Sequence, residues 1–113
     1  MSKSNEAHYY PKLRLQEDVL GAKIWAVALE KAMLTYFEVQ PNCRFETHQH
    51  ESEQITLVLE GELFFETAGK VIGVKPGEVI AIPSNVAHAV FTKEKAVKAV
   101  DAWSPVMAKY KNQ

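Results

Sequence analysis

Apolar and polar residues alternate over short distances along most of the chain, and turn-forming residues separate the alternating segments. Runs of about four to eight residues rich in β-branched and aromatic side chains, bounded by Gly, Pro, Asn or Asp, are typical of strands. Many short strands separated by turns predict an all-β sandwich or small barrel. The predicted strands are 23–29, 32–39, 44–50, 54–59, 63–66, 71–74, 79–82, 87–92 and 96–103, with a further short strand at 9–15.

The segment at 54–59 has the strongest strand pattern, and it bears on assembly. Side chains alternate between the two faces of a strand, so Ile55, Leu57 and Leu59 share one face. The even-numbered residues, which begin with Gln54, share the other face. If the Gln54 face lines the interior of the fold, the leucine face must be covered by a second sheet, the N-terminal strand or a partner subunit. We therefore expect a homodimer.

Composition and charge exclude several classes of partner. The 13 basic and 14 acidic residues give a net charge of -1, whereas nucleic acid binding requires a basic surface. No apolar run approaches the roughly 20 residues needed to cross a bilayer, and residues 1–6 lack the apolar core of a signal peptide. We expect a cytoplasmic protein without a nucleic acid or membrane partner. The single cysteine, Cys43, excludes an intrachain disulfide and a cysteine-based zinc cluster.

Two histidines near the middle of the chain are candidates for metal binding. His48 and His50 lie two residues apart in a predicted strand, so both imidazoles point to one face, and Gln54 follows shortly after. Converging imidazoles are typical of a metal site, although surface histidines in a polar turn also fit this fragment. His88 opens a later strand behind a Pro-Gly turn and a proline stop; alone it is more typical of a core or edge histidine. His8 lies in the polar N-terminus, where we expect it to be solvated.

Taken together, these residues form two motifs that resemble those of the cupin superfamily. The first reads His48-Gln49-His50, three residues, Gln54, six residues and Gly61, and the second reads Gly77, five residues, Pro83-Ser84-Asn85, two residues and His88. The resemblance implies one cupin domain over residues 1–113, with the conserved β-barrel (double-stranded β-helix or jelly roll) of the superfamily. Its barrel core would span about 21–103, between an N-terminal strand or arm at 1–20 and a C-terminal tail at 104–113.

Carried over position by position, the resemblance implies four metal ligands, His48, His50, Gln54 and His88. Gln54 replaces the usual glutamate of the superfamily, and Thr92 replaces an asparagine often found after the second-motif histidine. Three neutral imidazoles and an amide oxygen can hold one divalent transition metal and leave positions open for substrate. Because glutamine is uncharged, the metal would keep its full charge, which favours an anionic substrate. Iron, manganese, nickel, zinc and cobalt all remain open.

The segments at 50–62 and 100–105 look more closely like the small cupins of pectin and alginate degradation. Those proteins convert unsaturated uronates into linear keto-deoxyuronates. The resemblance therefore implies a metal-dependent isomerase or lyase that acts on a small carboxylate-bearing sugar. Asp101 and Trp103 match site positions of that subfamily. Asp101 would move a proton, and Trp103 would form an apolar wall against the sugar.

The same subfamily often has an arginine after the Ser-Pro segment, suited to binding a carboxylate. Here Met107 lies near the expected place, so the substrate's carboxylate needs another partner. Lys109 is one candidate, and Arg44, which shares its alternation with Glu46, is another. Tyr36 is a further candidate substrate contact.

Two other functions remain open. The first is a cupin dioxygenase, in which iron would activate oxygen for a small aromatic or dicarbonyl substrate. The apolar pocket of such an enzyme could be lined by Met33, Tyr36, Phe45, Phe64 and Phe91. The second is a non-catalytic cupin that binds metal or a small ligand.

Overall fold

The chain forms ten short strands, and the computed structural model describes residues 6–110. The strands are β1 (Gln16–Glu17), β2 (Ala22–Ala28), β3 (Met33–Val39), β4 (Arg44–His48), β5 (Glu53–Glu60), β6 (Leu63–Thr67), β7 (Lys70–Val74), β8 (Val79–Ile82), β9 (His88–Phe91) and β10 (Val97–Ser104). Within residues 6–110 the helical content is one 3-10 turn, Ala108–Tyr110. No helix in that range has the length and apolar character needed to span a bilayer.

The strand predictions differ from the structure at two places. The predicted strand at 9–15 is wrong, because β1 is a two-residue strand further along the chain. Pro11 has no backbone N–H to donate to a sheet, and Tyr10 instead packs edge-on against Trp25, with ring centroids 5.6 Å apart. The predicted strand at 44–50 is too long, since β4 ends at His48 and His50 lies in the following loop.

Two antiparallel sheets face each other and enclose the core. The larger sheet has six strands in the order β1-β2-β3-β10-β5-β8, and the smaller has four in the order β4-β9-β6-β7. Most neighbouring strands are distant in sequence, which confirms the all-β jelly-roll arrangement expected from the motifs. Buried apolar side chains fill the space between the sheets; among them are Ile24, Phe37, Val58, Phe65 and Val97.

The alternation predicted for β5 is confirmed. Gln54, Thr56 and Val58 face the interior and are at most 5 % exposed, whereas Ile55 and Leu57 on the other face are 51 % and 37 % exposed. This places the amide of Gln54 between the sheets and the leucine face on the outside of the larger sheet.

Neighbouring strands extend this exposed face into an apolar surface. Two rows of paired residues form what we call the outer apolar face: Leu34, Ala102, Ile55 and Ala81, then Tyr36, Val100, Leu57 and Val79. A salt bridge of 3.2 Å between Lys98 and Glu60 borders it on one side. Glu53, paired with Ser104, borders it on the other. An exposed apolar patch rimmed by polar residues is typical of a protein interface.

The turn after β5 requires glycine at position 61, the last position of the first motif. Gly61 lies in the turn between β5 and β6 with a φ of +76°, in the left-handed region that favours glycine. A Cβ at this position would collide with the backbone carbonyl of Ala96. The turn after β5 therefore packs directly against the segment that leads into β10.

Candidate metal centre

A β-bulge in β4 turns the exposed side chain of His48 towards the cavity between the sheets. Phe45 pairs with Val90 and His48 pairs with His88, so three steps along β4 match two steps along β9. The extra residue of a bulge reverses the alternation of faces beyond it. Phe45 and His48 therefore both line the interior cavity. Arg44, which precedes the bulge, belongs to the opposite face.

Hydrogen bonds to neighbouring loops hold His50, which lies beyond the end of β4. The backbone N–H of Asn85 donates to the carbonyl of His50 over 2.8 Å. On the other side of the loop, the hydroxyl of Ser52 donates to the carbonyl of Pro105 over 2.6 Å. These bonds join the loop of His50 to the segment that precedes His88 and to the chain that follows β10.

All three histidines share one orienting contact. Each Nδ1 lies close to a backbone carbonyl two residues away, at 2.7 Å in His48, 2.8 Å in His50 and 2.9 Å in His88. A carbonyl only accepts hydrogen bonds, so each Nδ1 carries the proton and each Nε2 keeps a free lone pair. One ring nitrogen from each histidine lies within 4.8 Å of the other two. Carbonyls are typical partners for the non-ligating nitrogen of metal-binding histidines.

Gln54 lines the same cavity as His48 and His88 and brings an amide group to it. Within residues 6–110, the buried polar side-chain atoms that lack a hydrogen-bond partner are His50 Nε2, His88 Nε2 and Gln54 Oε1. Buried polar atoms are almost always paired, and imidazole nitrogens with an amide oxygen suit a divalent first-row metal. The residues present therefore fit the metal that the motifs imply.

Burial lowers the pKa of His88, although the hydrogen bond to the Val86 carbonyl opposes this shift. The neighbouring His48 and His50 lower the pKa further, because a second positive charge beside them is unfavourable. A neutral imidazole is the form that binds a metal. The surroundings of His88 thus favour its ligating form.

The cavity between the sheets has a volume of about 360 Å³ and a largely apolar lining. Phe37, Phe65 and Met107 contribute to this lining. Of the apolar residues named in the dioxygenase hypothesis, Phe45 also lines it, and Phe91 borders it while its ring stacks against that of Phe64. Polar groups reach the cavity from the histidine cluster, from Gln54 and from four further residues; the latter are Glu46, Cys43, Asp101 and Lys109.

Asp101 lies on the central strand β10, where it is 4 % exposed. The hydroxyl of Thr56 donates to its Oδ1 over 2.5 Å, and the hydroxyl of Thr35 donates to its Oδ2 over 3.3 Å. Burial raises the pKa of Asp101 to about 7, although both hydroxyls oppose the shift. A carboxyl group with this pKa can take up and release a proton near neutral pH.

Trp103 connects the histidine cluster to the surroundings of Asp101. Its ring packs edge-on against His50, with the centroids 5.2 Å apart. Its Nε1–H donates to Thr35 Oγ1 over 2.8 Å, and the side chain lines the cavity. Trp103 is therefore part of the cavity wall beside the histidine cluster.

Lys109 is the cationic candidate that reaches the cavity. Its side chain lines the cavity from the 3-10 turn after β10. Its Nζ lies 3.4 Å from Oδ1 of Asp18, which precedes β2. The ion pair thus joins the segment before β2 to the 3-10 turn after β10.

Arg44 and Tyr36 lie outside the cavity, in contrast to the expectation that they contact substrate. Because the bulge lies between them, Arg44 and His48 face opposite sides of the smaller sheet. On the outer side the guanidinium of Arg44 binds Glu66 over 2.6 Å and lies over the ring of Phe91. Tyr36 belongs to the outer apolar face and donates its hydroxyl to Glu38 over 2.9 Å. Burial raises the pKa of Tyr36 to about 12, and the bond to Glu38 adds to the shift.

Two threonines that the sequence did not predict as site residues contact Asp101. Thr56 shares the inner face of β5 with Gln54, so its alternation gave a usable signal. Thr35 lies opposite Asp101 on a strand distant in sequence, and nothing in its local pattern distinguishes it. Thr92, at the position of the family's asparagine, is buried and donates to the carbonyl of Gln40 over 2.6 Å. Thr92 therefore has a structural contact in place of a role in the cavity.

Comparison with known proteins decides the family. Residues 35–103 match the family described as the cupin domain, which is more than half of the chain. The chain belongs to the cupin family. The matched segment of this cupin contains all three histidines of the cluster and Gln54.

Solved structures similar to this cupin include several kinds of protein. KdgF from Halomonas sp. is 23 % identical with a TM-score of 0.78, over 85 % of this chain and 89 % of that one. An RmlC-like cupin from Shewanella frigidimarina is 18 % identical with a TM-score of 0.82, over 95 % and 96 %. The polyketide cyclase RemF from Streptomyces resistomycificus is 22 % identical with a TM-score of 0.78, over 91 % and 81 %. No curated protein matches the chain. These likenesses show a shared fold and do not establish a reaction.

Replacing His50 with alanine should abolish tight metal binding without unfolding the protein. The change removes one ligating nitrogen from a loop outside the strands. We expect a loss of affinity for Co²⁺ of at least about 100-fold, which exceeds the loss typical of a residue that contacts only a metal ligand. Calorimetric titration of metal-stripped protein measures the affinity, and circular dichroism checks the fold.

The exposed His8 offers a matched control, since His8→Ala should bind like the wild type. Equal binding by His50→Ala would contradict the assigned site.

The metal-free protein should lose stability as the pH rises from about 4 to about 7, relative to Asp101→Asn. The pKa of an aspartate in an unfolded chain is about 3.9, whereas that of Asp101 in the folded protein is about 7. Between these values the folded state holds a proton that the unfolded state releases. The stabilising contribution is therefore fully present below about pH 4 and is lost as the pH rises to about 7.

Urea unfolding in chelator, from pH 4 to pH 8, measures the difference in free energy of unfolding between the two proteins. Other titrating groups, among them His88, are common to both and cancel in this difference. A difference that stays constant across the range is the result that rules out a raised pKa for Asp101.

Proposed function

We propose that this cupin is a divalent-metal-dependent enzyme that acts on a small carboxylate-bearing, sugar-derived substrate. The specific reaction we propose is isomerisation and ring opening of an unsaturated uronate to a linear keto-deoxyuronate. One observation carries the proposal: a cluster of three histidines with Gln54 shares a cavity with a buried carboxyl group, Asp101, whose pKa is about 7. The sequence resemblance to the uronate-processing cupins supports the choice of substrate.

The residues around the cluster suit an anionic substrate. A bound metal would supply Lewis-acid activation of the substrate's oxygen atoms. His48, His50, His88 and Gln54 are neutral donors, so they leave the positive charge of the centre available to a carboxylate. Lys109 adds a cationic group at the same cavity. A substrate carboxylate there would compete with Asp18 for the ammonium group.

Asp101 is the residue we assign to proton transfer. Ring opening and tautomerisation of an unsaturated uronate move protons between oxygen and carbon, and they neither add nor remove other atoms. A group that exchanges a proton near neutral pH can take the proton from one atom and return it to another. Trp103 lies two residues along the same face of β10, where it can pack against the sugar ring.

A dioxygenase is the second candidate, because the cavity lining is largely apolar. Phe37, Phe45 and Phe65 line it together with aliphatic residues. Such a lining suits a small aromatic or dicarbonyl substrate better than a sugar with many hydroxyl groups. This candidate needs molecular oxygen, whereas the isomerisation does not.

Turnover without oxygen distinguishes the two candidates. Protein loaded in turn with iron, manganese, nickel, zinc or cobalt should convert unsaturated uronate under argon, with loss of the ultraviolet absorption of its double bond. Asp101→Asn should lower kcat at least about 100-fold, as expected for loss of an acid–base group. Tyr36→Phe, on the outer apolar face, should leave the rate unchanged. Turnover that stops under argon and consumes oxygen in air would instead support the dioxygenase.

We also propose that the protein is a homodimer that buries the outer apolar face. Ile55 is 51 % exposed, Leu34 is 50 % exposed and Val79 is 57 % exposed, so the face presents large apolar side chains to water. A two-fold axis would bring the same patch of both copies together, which is the commonest arrangement in protein oligomers.

Replacing Ile55 with glutamate should convert the dimer to a monomer, because two buried charges would meet near the axis. Sedimentation equilibrium at micromolar concentration measures the mass of each protein. Val71→Glu, at a residue on the smaller sheet that is 56 % exposed, should remain dimeric. A wild type that sediments as a monomer contradicts the proposal.

A further inference from the structure

Five side chains on the inner face of the larger sheet form one continuous chain of hydrogen bonds. Asp101 on β10 pairs with Thr35 on β3 and with Thr56 on β5. Nε2 of Gln54 donates to Thr56 Oγ1 over 2.9 Å, and Thr56 donates to Asp101 Oδ1 over 2.5 Å. On the other side, Trp103 donates to Thr35 over 2.8 Å, and Thr35 donates to Asp101 Oδ2 over 3.3 Å. All five side chains are at most 6 % exposed.

The chemistry of these groups fixes the direction of the bonds on the Gln54 side. Thr56 donates its single hydroxyl hydrogen to Asp101, and above the pKa of Asp101, about 7, the ionised carboxylate can only accept this bond. The oxygen of Thr56 is then left as an acceptor. Of the two ends of the Gln54 amide, only the NH₂ group can donate to it. The amide therefore turns Nε2 towards Thr56 and Oε1 away from it.

The orientation of this amide decides whether Gln54 can bind a metal. Oε1 carries lone pairs and can ligate, whereas the NH₂ group presents hydrogen atoms. The two ends have nearly the same size, so packing alone distinguishes them poorly. Oε1 is buried and has no hydrogen-bond partner within residues 6–110, as a ligating oxygen requires.

We propose that Thr56 is a positioning residue for the metal centre: its hydroxyl, anchored by Asp101, selects the orientation of Gln54 in which Oε1 faces the metal. The inference rests on the proposed metal site and adds a contact behind one of its ligands. The need for such a contact follows from the glutamine itself. A glutamate ligand has two equivalent oxygens, so it has no orientation to select.

Affinity for Co²⁺, with Co²⁺ alone as the probe, tests the role of the hydroxyl. Thr56→Val removes it with little change in shape, and Kd should rise about 10- to 100-fold, the loss typical of an outer contact. Thr56→Ser keeps the hydroxyl and should bind close to the wild type. Thr35→Val is the matched control. It removes the other bond to Asp101 but leaves Thr56 Oγ1 in place to accept the bond from Gln54 Nε2, so the affinity for Co²⁺ should stay near that of the wild type.

A double-mutant cycle separates positioning from a general loss of structure. In a Gln54→Ala background there is no amide to orient, so adding Thr56→Val should change the Co²⁺ affinity no further. The inference is overturned if Thr56→Val lowers the Co²⁺ affinity as much in the Gln54→Ala background as in the wild type. It is also overturned if Thr56→Val alone binds Co²⁺ like the wild type. If circular dichroism shows that Thr56→Val is unfolded, Thr56→Ala is judged by the same criteria.

The outcomes also separate this inference from the function on which it rests. A wild type that does not bind Co²⁺ overturns the metal site and the inference together. A wild type that binds tightly, with His50→Ala impaired and Thr56→Val unimpaired, overturns the role of Thr56 alone.

Discussion

The rest of the site depends on the convergence of three imidazole rings. Each ring is oriented by a hydrogen bond from its Nδ1 to a backbone carbonyl. Ring nitrogens that face one another inside a protein lose hydrogen bonds to water and repel one another through their lone pairs. Their arrangement is favourable when a shared cation completes it. Three features of the fold bring them together. The bulge in β4 turns His48 towards the cavity, hydrogen bonds to neighbouring segments hold the loop of His50, and β9 begins at His88.

The protonation of Asp101 is coupled to the binding of a metal at the neutral ligands. Three neutral imidazoles and a neutral amide leave the charge of a bound dication uncompensated, whereas Asp101 reaches Gln54 through one threonine hydroxyl. A nearby dication would lower the pKa of this carboxyl, and the ionised carboxyl would in turn favour the dication. The same pair of groups therefore connects metal binding to the protonation of the residue assigned to proton transfer.

The sequence predicted the position of a residue correctly where that position depends on the local pattern of the chain. The period-2 pattern of β5 correctly separated Gln54 from Ile55, and the two motifs named the histidines that the fold brings together. Arg44 was misplaced because one extra residue in β4 reverses the alternation, and no pattern in that segment marks the bulge. Thr35 was missed because its contact with Asp101 depends on the pairing of strands that are far apart in the sequence.

Anomalous X-ray diffraction from crystals grown with zinc tests the central claim most directly. The account predicts one strong peak about 2.1 Å from a ring nitrogen of each histidine in the cluster, the usual zinc–nitrogen distance. The Gln54 amide should point Oε1 at the peak and Nε2 at Thr56. The absence of a peak between His48, His50 and His88, even with zinc bound elsewhere on the chain, would contradict the account.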